Sequence, residues 1–492
     1  MGLQMLEEPV TNPCSLPQEI LHQLFVASDS SNLENALKVL IDASRTSGGR
    51  SNLASKSLLP VVLNLCQHLS KSSSSSLDLL LLSLKLLRNL CAGELINQNL
   101  FIENNGIEIL MSILDSCEGV SSLPYEITRM TLQVIANVSL AGEVHQHSIW
   151  HHLFPVKFYE IAMVRRKEVS DPLCMVIYTC CDRSRVIIDQ LCRDQGISIL
   201  VQIIRTASEV GFDENWVKLL LSRICLEEEE EEACFPELFS ALYSSGETKF
   251  MTDHVFLLSI LSEILNEQLG GNGMPVSSDF ASYILGIFKQ SAALIDFKSG
   301  SKSSLPTGIV AVDVLGYSLT ILRDICANDG PGSCIASLLS SSLMELLLQL
   351  LANLEPPESM KKPMNSSSDR SVSSGSRKAV CPYRGFRRDI VAVIGNCVYR
   401  RKEVQDEVRE RKGIFVLLQQ CVIDEENPFL REWGLWAVRN LLEGNMENQR
   451  FVSELELQGA ADVPEISRLG LKIEVDPKTQ RPKLVNLPSD CR

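Results

Sequence analysis

Two side chains near the C-terminus have the types and the spacing to bind a peptide. Trp436 and Asn440 are four residues apart, so on a helix they lie on the same face. A side-chain amide both donates and accepts hydrogen bonds, which lets it pair with the backbone of an extended peptide, while an indole ring can wall a side-chain pocket. The pair therefore predicts a peptide-binding site on one helix.

Three further asparagines occupy equivalent positions along the chain. Asn396 would extend the row that Asn440 ends, and Asn89 and Asn137 form a second neighbouring pair. Of the four, Asn440 alone follows a Trp by four residues, so the row is incomplete. The alternative is that each asparagine is buried and ties neighbouring repeats together through backbone hydrogen bonds. Both interpretations stay open, and the incomplete row favours the second.

Two other clusters offer weaker chemistry. His147 and His151 have the i, i+4 spacing of a zinc site, but Ser148 stands where the catalytic glutamate of such a site belongs, so surface histidines are favoured. The sixteen cysteines include no Cys-x-x-Cys pair and lie in apolar stretches, which indicates buried free thiols. No nucleophile–base set has a supporting motif. The sequence predicts no enzyme activity, no metal and no cofactor.

The charge balance limits the partners. A net charge of −15 repels phosphate backbones and anionic membranes, so neither nucleic acid nor docking on such a membrane is expected. Membrane insertion is not expected either, because Asp78, Lys85 and Arg88 interrupt the longest apolar stretch, Leu77 to Leu90. The N-terminus shows no secretory signal, and the free thiols indicate a cytoplasmic protein, with a nuclear pool allowed. Arg387 and Arg388 begin a locally basic segment that either binds an acidic partner or forms a solvated face.

A repeat organises the whole chain. An apolar run ends in a polar residue, and a Gly that opens the next apolar run follows 17 residues after Asn89, Thr179 and Asn396. Aligning on that polar position gives nine units, and six of the eight spacings lie between 40 and 48 residues, the period of armadillo and HEAT repeats. The aligned positions are Asp42, Asn89, Asn137, Thr179, Arg223, Glu263, Asp324, Asn396 and Asn440.

These patterns predict an all-α armadillo/HEAT-like α-solenoid, a right-handed superhelix of about 8–9 helical repeats. Repeats over residues 1–354 form an N-terminal array, and repeats over 381–465 form a C-terminal one. A Ser- and Pro-rich segment, 355–380, is predicted to be a disordered linker, and Ser373 in it follows Arg370 at a spacing that basic-directed kinases accept. Residues 466–492 are predicted to form an extended tail.

The C-terminal repeats resemble a known family. The runs from Arg387 to Asn396, from Asn427 to Trp433 and from Ala437 to Leu441, with Leu471 to Val475 behind them, are similar in order and distance to the ataxin-10 C-terminal domain over roughly residues 383–486. Val404 departs from the pattern, since the family tends to have Asn there.

The resemblance implies a non-enzymatic armadillo-like scaffold in the cytoplasm that binds other proteins. It also implies links to cytokinesis, cell division and cell survival, and it makes homo-oligomers plausible. A second expectation comes from Trp436 and Asn440, which resemble the Trp-x-x-x-Asn pairs of importin-like adaptors for extended peptides. That alternative requires a continuous Trp/Asn row.

Overall fold

The architecture comes from a computed structural model. It describes residues 30–71, 76–116, 124–182, 184–226, 234–243, 249–268, 276–298, 300, 302–327, 334–357, 379–455, 468, 470–475 and 482–486. The chain divides into two compact units, Met1–Ser341 and Ser342–Arg492.

The described part of the first unit holds eighteen helices. They are α1 (Ser30–Ala43), α2 (Ser47–Ser55), α3 (Leu58–Ser70), α4 (Leu77–Cys91), α5 (Leu95–Glu103), α6 (Gly106–Asp115), α7 (Tyr125–Ser139), α8 (Glu143–Leu153), α9 (Val156–Ala162), α10 (Lys167–Cys181), α11 (Arg185–Leu191), α12 (Asp194–Val210), α13 (Trp216–Cys225), α14 (Phe235–Ala241), α15 (Thr252–Gln268), α16 (Ser278–Leu294), α17 (Val310–Ala327) and α18 (Ile335–Ser340).

The second unit has six helices and a hairpin among its described residues. They are α19 (Leu343–Asn353), α20 (Phe386–Cys397), α21 (Lys402–Glu410), α22 (Gly413–Leu418), α23 (Leu430–Leu442), α24 (Met446–Ser453), β1 (Leu471–Val475) and β2 (Pro482–Asn486). The two strands pair antiparallel, with Leu471 opposite Asn486, so the predicted extended tail contains a hairpin.

Helices of the first unit stack in sequence order. One helix of each repeat, which we call its third helix, contacts its counterpart in the next repeat. These contacts give a row α1, α4, α7, α10, α13, α15 and α17. Every polar position of the sequence alignment in this unit lies on a helix of that row. Such nearest-neighbour stacking is what repeat proteins require, because one repeat cannot bury its apolar face alone. The all-α helical-repeat fold is confirmed.

Within the second unit, the helices make contacts of the same kind. Helix α20 contacts α23, and α19 contacts both α20 and α22. The predicted division after residue 354 is therefore corrected: α19 packs with the helices that follow the Ser- and Pro-rich segment. Glu355 N also donates to Ala379 O at 2.8 Å, and Ala379 N donates to Asn353 O at 3.1 Å. These two bonds join the described residues at the two ends of that segment.

The start of α23 differs from its sequence signal. Asn427-Pro428 predicts an N-cap and first helical residue, yet α23 begins at Leu430 after Phe429 in the left-handed region. The Asn427 side chain is buried, and its Oδ1 accepts from Arg387 N near the start of α20 at 3.0 Å. It therefore satisfies a free amide of a neighbouring helix. Gly444, at φ +72°, follows the C-cap of α23, where a left-handed residue commonly ends a helix.

Aliphatic side chains fill the interior of both units. Leu84, Leu110 and Ile135 are fully buried in the first unit, and Ile390, Val393 and Leu417 in the second. The cysteines in the described residues are free thiols, and most of them are buried. Within the described ranges, every helix is too short or too polar to cross a bilayer.

Candidate partner-binding surface

The side-chain amide of Asn440 is directed at the preceding repeat. Its Nδ2 donates to the Gly395 carbonyl of α20 at 3.0 Å, and the residue is only 2% exposed. At Gly395, α20 and α23 are in close contact, since a Cβ built there would lie 3.2 Å from the Ala437 Cβ. The amide nitrogen that peptide binding would need is thus used inside the unit.

The same hydrogen bond recurs in the first unit. Asn137 Nδ2 donates to the Arg88 carbonyl at 2.9 Å, and Asn89 Nδ2 donates to Ser44 Oγ at 3.1 Å and to the Ile41 carbonyl at 3.5 Å. In all three repeats the acceptor carbonyl belongs to the residue just before the aligned polar position of the previous repeat. The acceptors are Gly395 before Asn396, Arg88 before Asn89, and Ile41 before Asp42. The asparagines therefore connect consecutive third helices, as the alternative interpretation predicted.

Asn396 is placed differently from Asn440. Its side chain is half-buried near the C-terminal end of α20, and its carbonyl accepts from Arg401 Nη1 at 3.1 Å. Asn89 and Asn137 are likewise half-buried. Asn89 and Asn137 thus lie at equivalent places on the helix row of the first unit, and Asn396 lies near the end of α20 in the second unit. Partner binding by them stays a prediction.

A glutamine that sequence reasoning missed follows each of these asparagines by nine residues. Gln98, Gln146 and Gln405 are buried, and each donates to the carbonyl seven residues earlier, at the end of the preceding third helix. Gln98 Nε2 also donates to the Asn137 carbonyl at 2.8 Å, and Gln405 Nε2 to the Asn440 carbonyl at 2.9 Å. The Asn-x8-Gln spacing, visible in the sequence, is the signal that would have found them.

Around Trp436, the surface of α23 is apolar and open. Trp436 is 50% exposed, Leu435 is 55% exposed and Phe429, just before the helix, is 69% exposed. The Arg439 guanidinium lies 5.0 Å from the Trp436 ring centroid, a distance at which the cation is attracted to the ring. Of the predicted pair, Trp436 is accessible and Asn440 is not.

The two predicted basic residues are taken up by the second unit itself. Arg387 is 4% exposed; its Nη1 donates to Gln420 Oε1 at 3.1 Å and its Nη2 donates to the Glu355 carbonyl. Arg388 Nη2 donates to the buried Asp389 carboxylate at 2.7 Å. The prediction that they form a partner-binding basic face is corrected for Arg387, because its guanidinium lies inside the unit.

Two predicted features remain, Ser373 and the histidine pair. Ser373 lies outside the described residues. His147 Nδ1 pairs with the Glu143 carbonyl at 2.9 Å, and the His151 ring lies edge-on to the His152 ring with the centroids 5.7 Å apart, so the two predicted histidines have different partners. The described ranges contain no group of three metal-ligating side chains.

Comparison with known proteins supports the resemblance. Residues 386–484 match the family model described as "Spinocerebellar ataxia type 10 protein domain", which begins at α20 and ends within β2. The chain is 24% identical to ataxin-10 of Bos taurus over 409 residues, 82% of this chain and 81% of that protein. The chain thus carries the ataxin-10 domain and is similar to ataxin-10 over most of its length. The ataxin-10 domain thus coincides with the span predicted from sequence.

A shorter match has a higher identity. An ataxin-10 homolog of Dictyostelium discoideum is 39% identical over 92 residues, 19% of this chain and 15% of that protein. The chain is also similar to a solved structure from work on a phosphorylation switch in the interaction between cadherin and beta-catenin. That likeness has a TM-score of 0.40 at 13% identity and covers 87% of this chain and 76% of the other.

Proposed function

We propose that this ataxin-10 relative is a non-enzymatic scaffold or adaptor that acts by binding other proteins. The ataxin-10 domain and the stacked helical repeats support the proposal. Stacked repeats build a long surface rather than an enclosed pocket, which suits protein partners better than small substrates.

The exposed apolar surface of α23 carries the proposal. Phe429, Leu435 and Trp436 are at least half exposed. Leu435 and Trp436 lie on α23 with Arg439, and Phe429 directly precedes that helix. Large apolar patches on a soluble protein mark interaction sites, and Trp and Arg are the residue types that contribute most to binding energy at protein interfaces. We assign partner binding to this surface, which we call the α23 patch.

The absence of catalysis belongs to the same proposal. Burial raises the pKa of the Cys66 thiol to about 12, and it raises the pKa of the Cys91 and Cys174 thiols further. A thiol must lose its proton to act as a nucleophile, so these three are inert at physiological pH.

The cellular role follows the family. We propose that the protein acts in the cytoplasm, with a nuclear pool allowed, in cytokinesis, cell division or cell survival, and that homo-oligomers contribute. The importin-like alternative has less support, because the Asn440 amide nitrogen donates to Gly395.

Affinity purification of the tagged full chain tests the proposal. The variant Leu435→Ser/Trp436→Ser removes the α23 patch, and Leu294→Ser is a matched control, because Leu294 is also 55% exposed but lies on α16 of the first unit. We expect the control to keep the partners of the native chain and the patch variant to lose a defined subset. Recovery of nothing above a tag-only sample would refute the scaffold function, and an unchanged partner set would refute the patch.

Binucleate cells provide the cellular readout. Cells that depend on the patch variant are expected to accumulate them, and cells that depend on Leu294→Ser are not. Equal frequencies in both would remove support for a role of the α23 patch in division.

A further inference from the structure

A groove in the first unit concentrates positive charge in an otherwise acidic protein. It has a volume of about 370 Å³ and lies between the end of α1, the start of α2 and the last turns of α4. No carboxylate is among its described lining residues, although the chain has a net charge of −15. The lining residues are Ile41, Ser44, Arg45, Arg50, Lys85, Arg88, Asn89 and Ala92.

Two of the guanidinium groups are held in place by neutral acceptors. Arg88 Nη1 donates to Gln133 Oε1 at 3.1 Å, and its Nη2 donates to Asn89 Oδ1 at 2.9 Å. Arg50 Nη1 donates to the carbonyls of Ser44 and Arg45, at 3.4 and 3.2 Å. These bonds fix the positions of the cations and leave their charge uncompensated.

The other two cations are open to a ligand. Lys85 is half-buried, and its amino group has no hydrogen bond or ion pair with any residue that the structure describes. Arg45 pairs with Asp42 at 3.2 Å, but both side chains are more than two-thirds exposed, so that pair contributes little.

The local field is unfavourable without a counter-charge. Partial burial and the nearby Arg129 lower the pKa of the Arg88 guanidinium, so the charged form of that group is disfavoured where it stands. An incoming carboxylate would offset the repulsion and could accept bonds from a planar guanidinium group. The groove is thus arranged for an anion.

We propose that this groove binds an acidic peptide segment of a partner protein, with side-chain carboxylates at Lys85, Arg88 and Arg45. The inference rests on the proposed scaffold function and names the chemistry of one partner. The overall net charge of −15 repels a long polyanion such as RNA, whereas a segment with a few carboxylates experiences mainly the local field of the groove. The occupant is therefore a peptide.

Fluorescence anisotropy on the purified full chain tests the proposal. The probe is a fluorescein-labelled peptide with six consecutive glutamates, and its partner probe has six glutamines. Lys85→Glu and Arg45→Glu each reverse one groove charge; Lys249→Glu is the matched control, since Lys249 is exposed, belongs to the same unit and lies outside the groove.

We expect the glutamate probe to bind and to weaken tenfold or more in either groove variant, with no change in Lys249→Glu and no binding of the glutamine probe. Affinity should fall as salt rises, because the contact is electrostatic. Circular dichroism confirms that each variant is folded.

Three results would overturn the proposal. They are equal affinities for Lys85→Glu and Lys249→Glu, absence of glutamate-probe binding at low salt, and tighter binding of a single-stranded RNA of equal charge that Lys85→Glu abolishes. None of these results bears on the proposed scaffold function, because affinity purification with the α23 patch variant tests that function separately.

Discussion

Replacing Asn440 by Ala separates the two roles that its position allows. The change removes the donor to the Gly395 carbonyl, a buried bond of 3.0 Å between α20 and α23. A buried polar group left without its partner costs about 1–3 kcal/mol. The helices are already in close contact beside Gly395, so they cannot approach further to fill the space. We expect Asn440→Ala to lower the free energy of opening of these helices by about 2 kcal/mol.

Hydrogen exchange followed by mass spectrometry on the full chain measures this loss at the helices concerned. A change of about 2 kcal/mol corresponds to exchange of the α20 and α23 amides roughly 30-fold faster. The matched control is Trp436→Ser on the same helix: its side chain is half exposed, so we expect a change of about 0.5 kcal/mol or less.

The opposite pattern would refute the reasoning. If Asn440→Ala exchanged like the native chain and yet captured fewer partners per folded molecule, the amide would serve peptide recognition. The inter-repeat role of Asn440 would then be wrong.

Three further predictions concern stability. The pKa of His254 is lowered from 6.5 to about 4 by burial, so its neutral form contributes stability that is present above pH 6.5 and is lost towards pH 4. Between those two pH values, the free energy of unfolding of the native protein in urea should therefore fall by about 3 kcal/mol more than that of His254→Phe. Parallel pH profiles of the two proteins would contradict this. Gly434→Ala places a Cβ 2.8 Å from the Gln420 carbonyl oxygen and should lower the free energy of unfolding by about 1–3 kcal/mol, measured by thermal unfolding. The control Gly286→Ala, in open space on α16, should raise the free energy of unfolding by up to about 1 kcal/mol. Equal effects of the two substitutions would exclude the steric cause. Gln405→Leu leaves the carbonyls of Val398 and Asn440 without their donor and should lower the free energy of unfolding in urea by about 2–4 kcal/mol. The control Gln449→Leu should lower it by about 0.5 kcal/mol, because the Gln449 side chain is exposed. A smaller loss for Gln405→Leu would show that water replaces the Gln405 amide as donor.

The amino-acid sequence alone was sufficient to predict the helical repeats and their register. Apolar periodicity and the Gly that opens each second helix are local features, and the three predicted glycines lie at or near the start of α6, α12 and α22. The aligned polar positions fall on the row of third helices because the repeat length is set by helices that must stack on one another. The ataxin-10 domain was also visible as ordered runs of residues.

Tertiary structure decided which side chains face a partner. An asparagine amide can pair with a bound peptide or with its own chain, and only the distance from Asn440 to Gly395 distinguishes the two. The basic character of Arg387 was clear in the sequence, but its burial depends on Gln420 and Glu355, which approach it through folding.

The charged groove shows the same limit. Arg45 and Lys85 are forty residues apart, and neither has a neighbouring sequence signal for a site. They line one groove because α1 and α4 are stacked counterparts of consecutive repeats. Helix formation depends on residues within a few positions of one another, whereas the surface presented to a partner depends on residues that packing brings together from separate repeats.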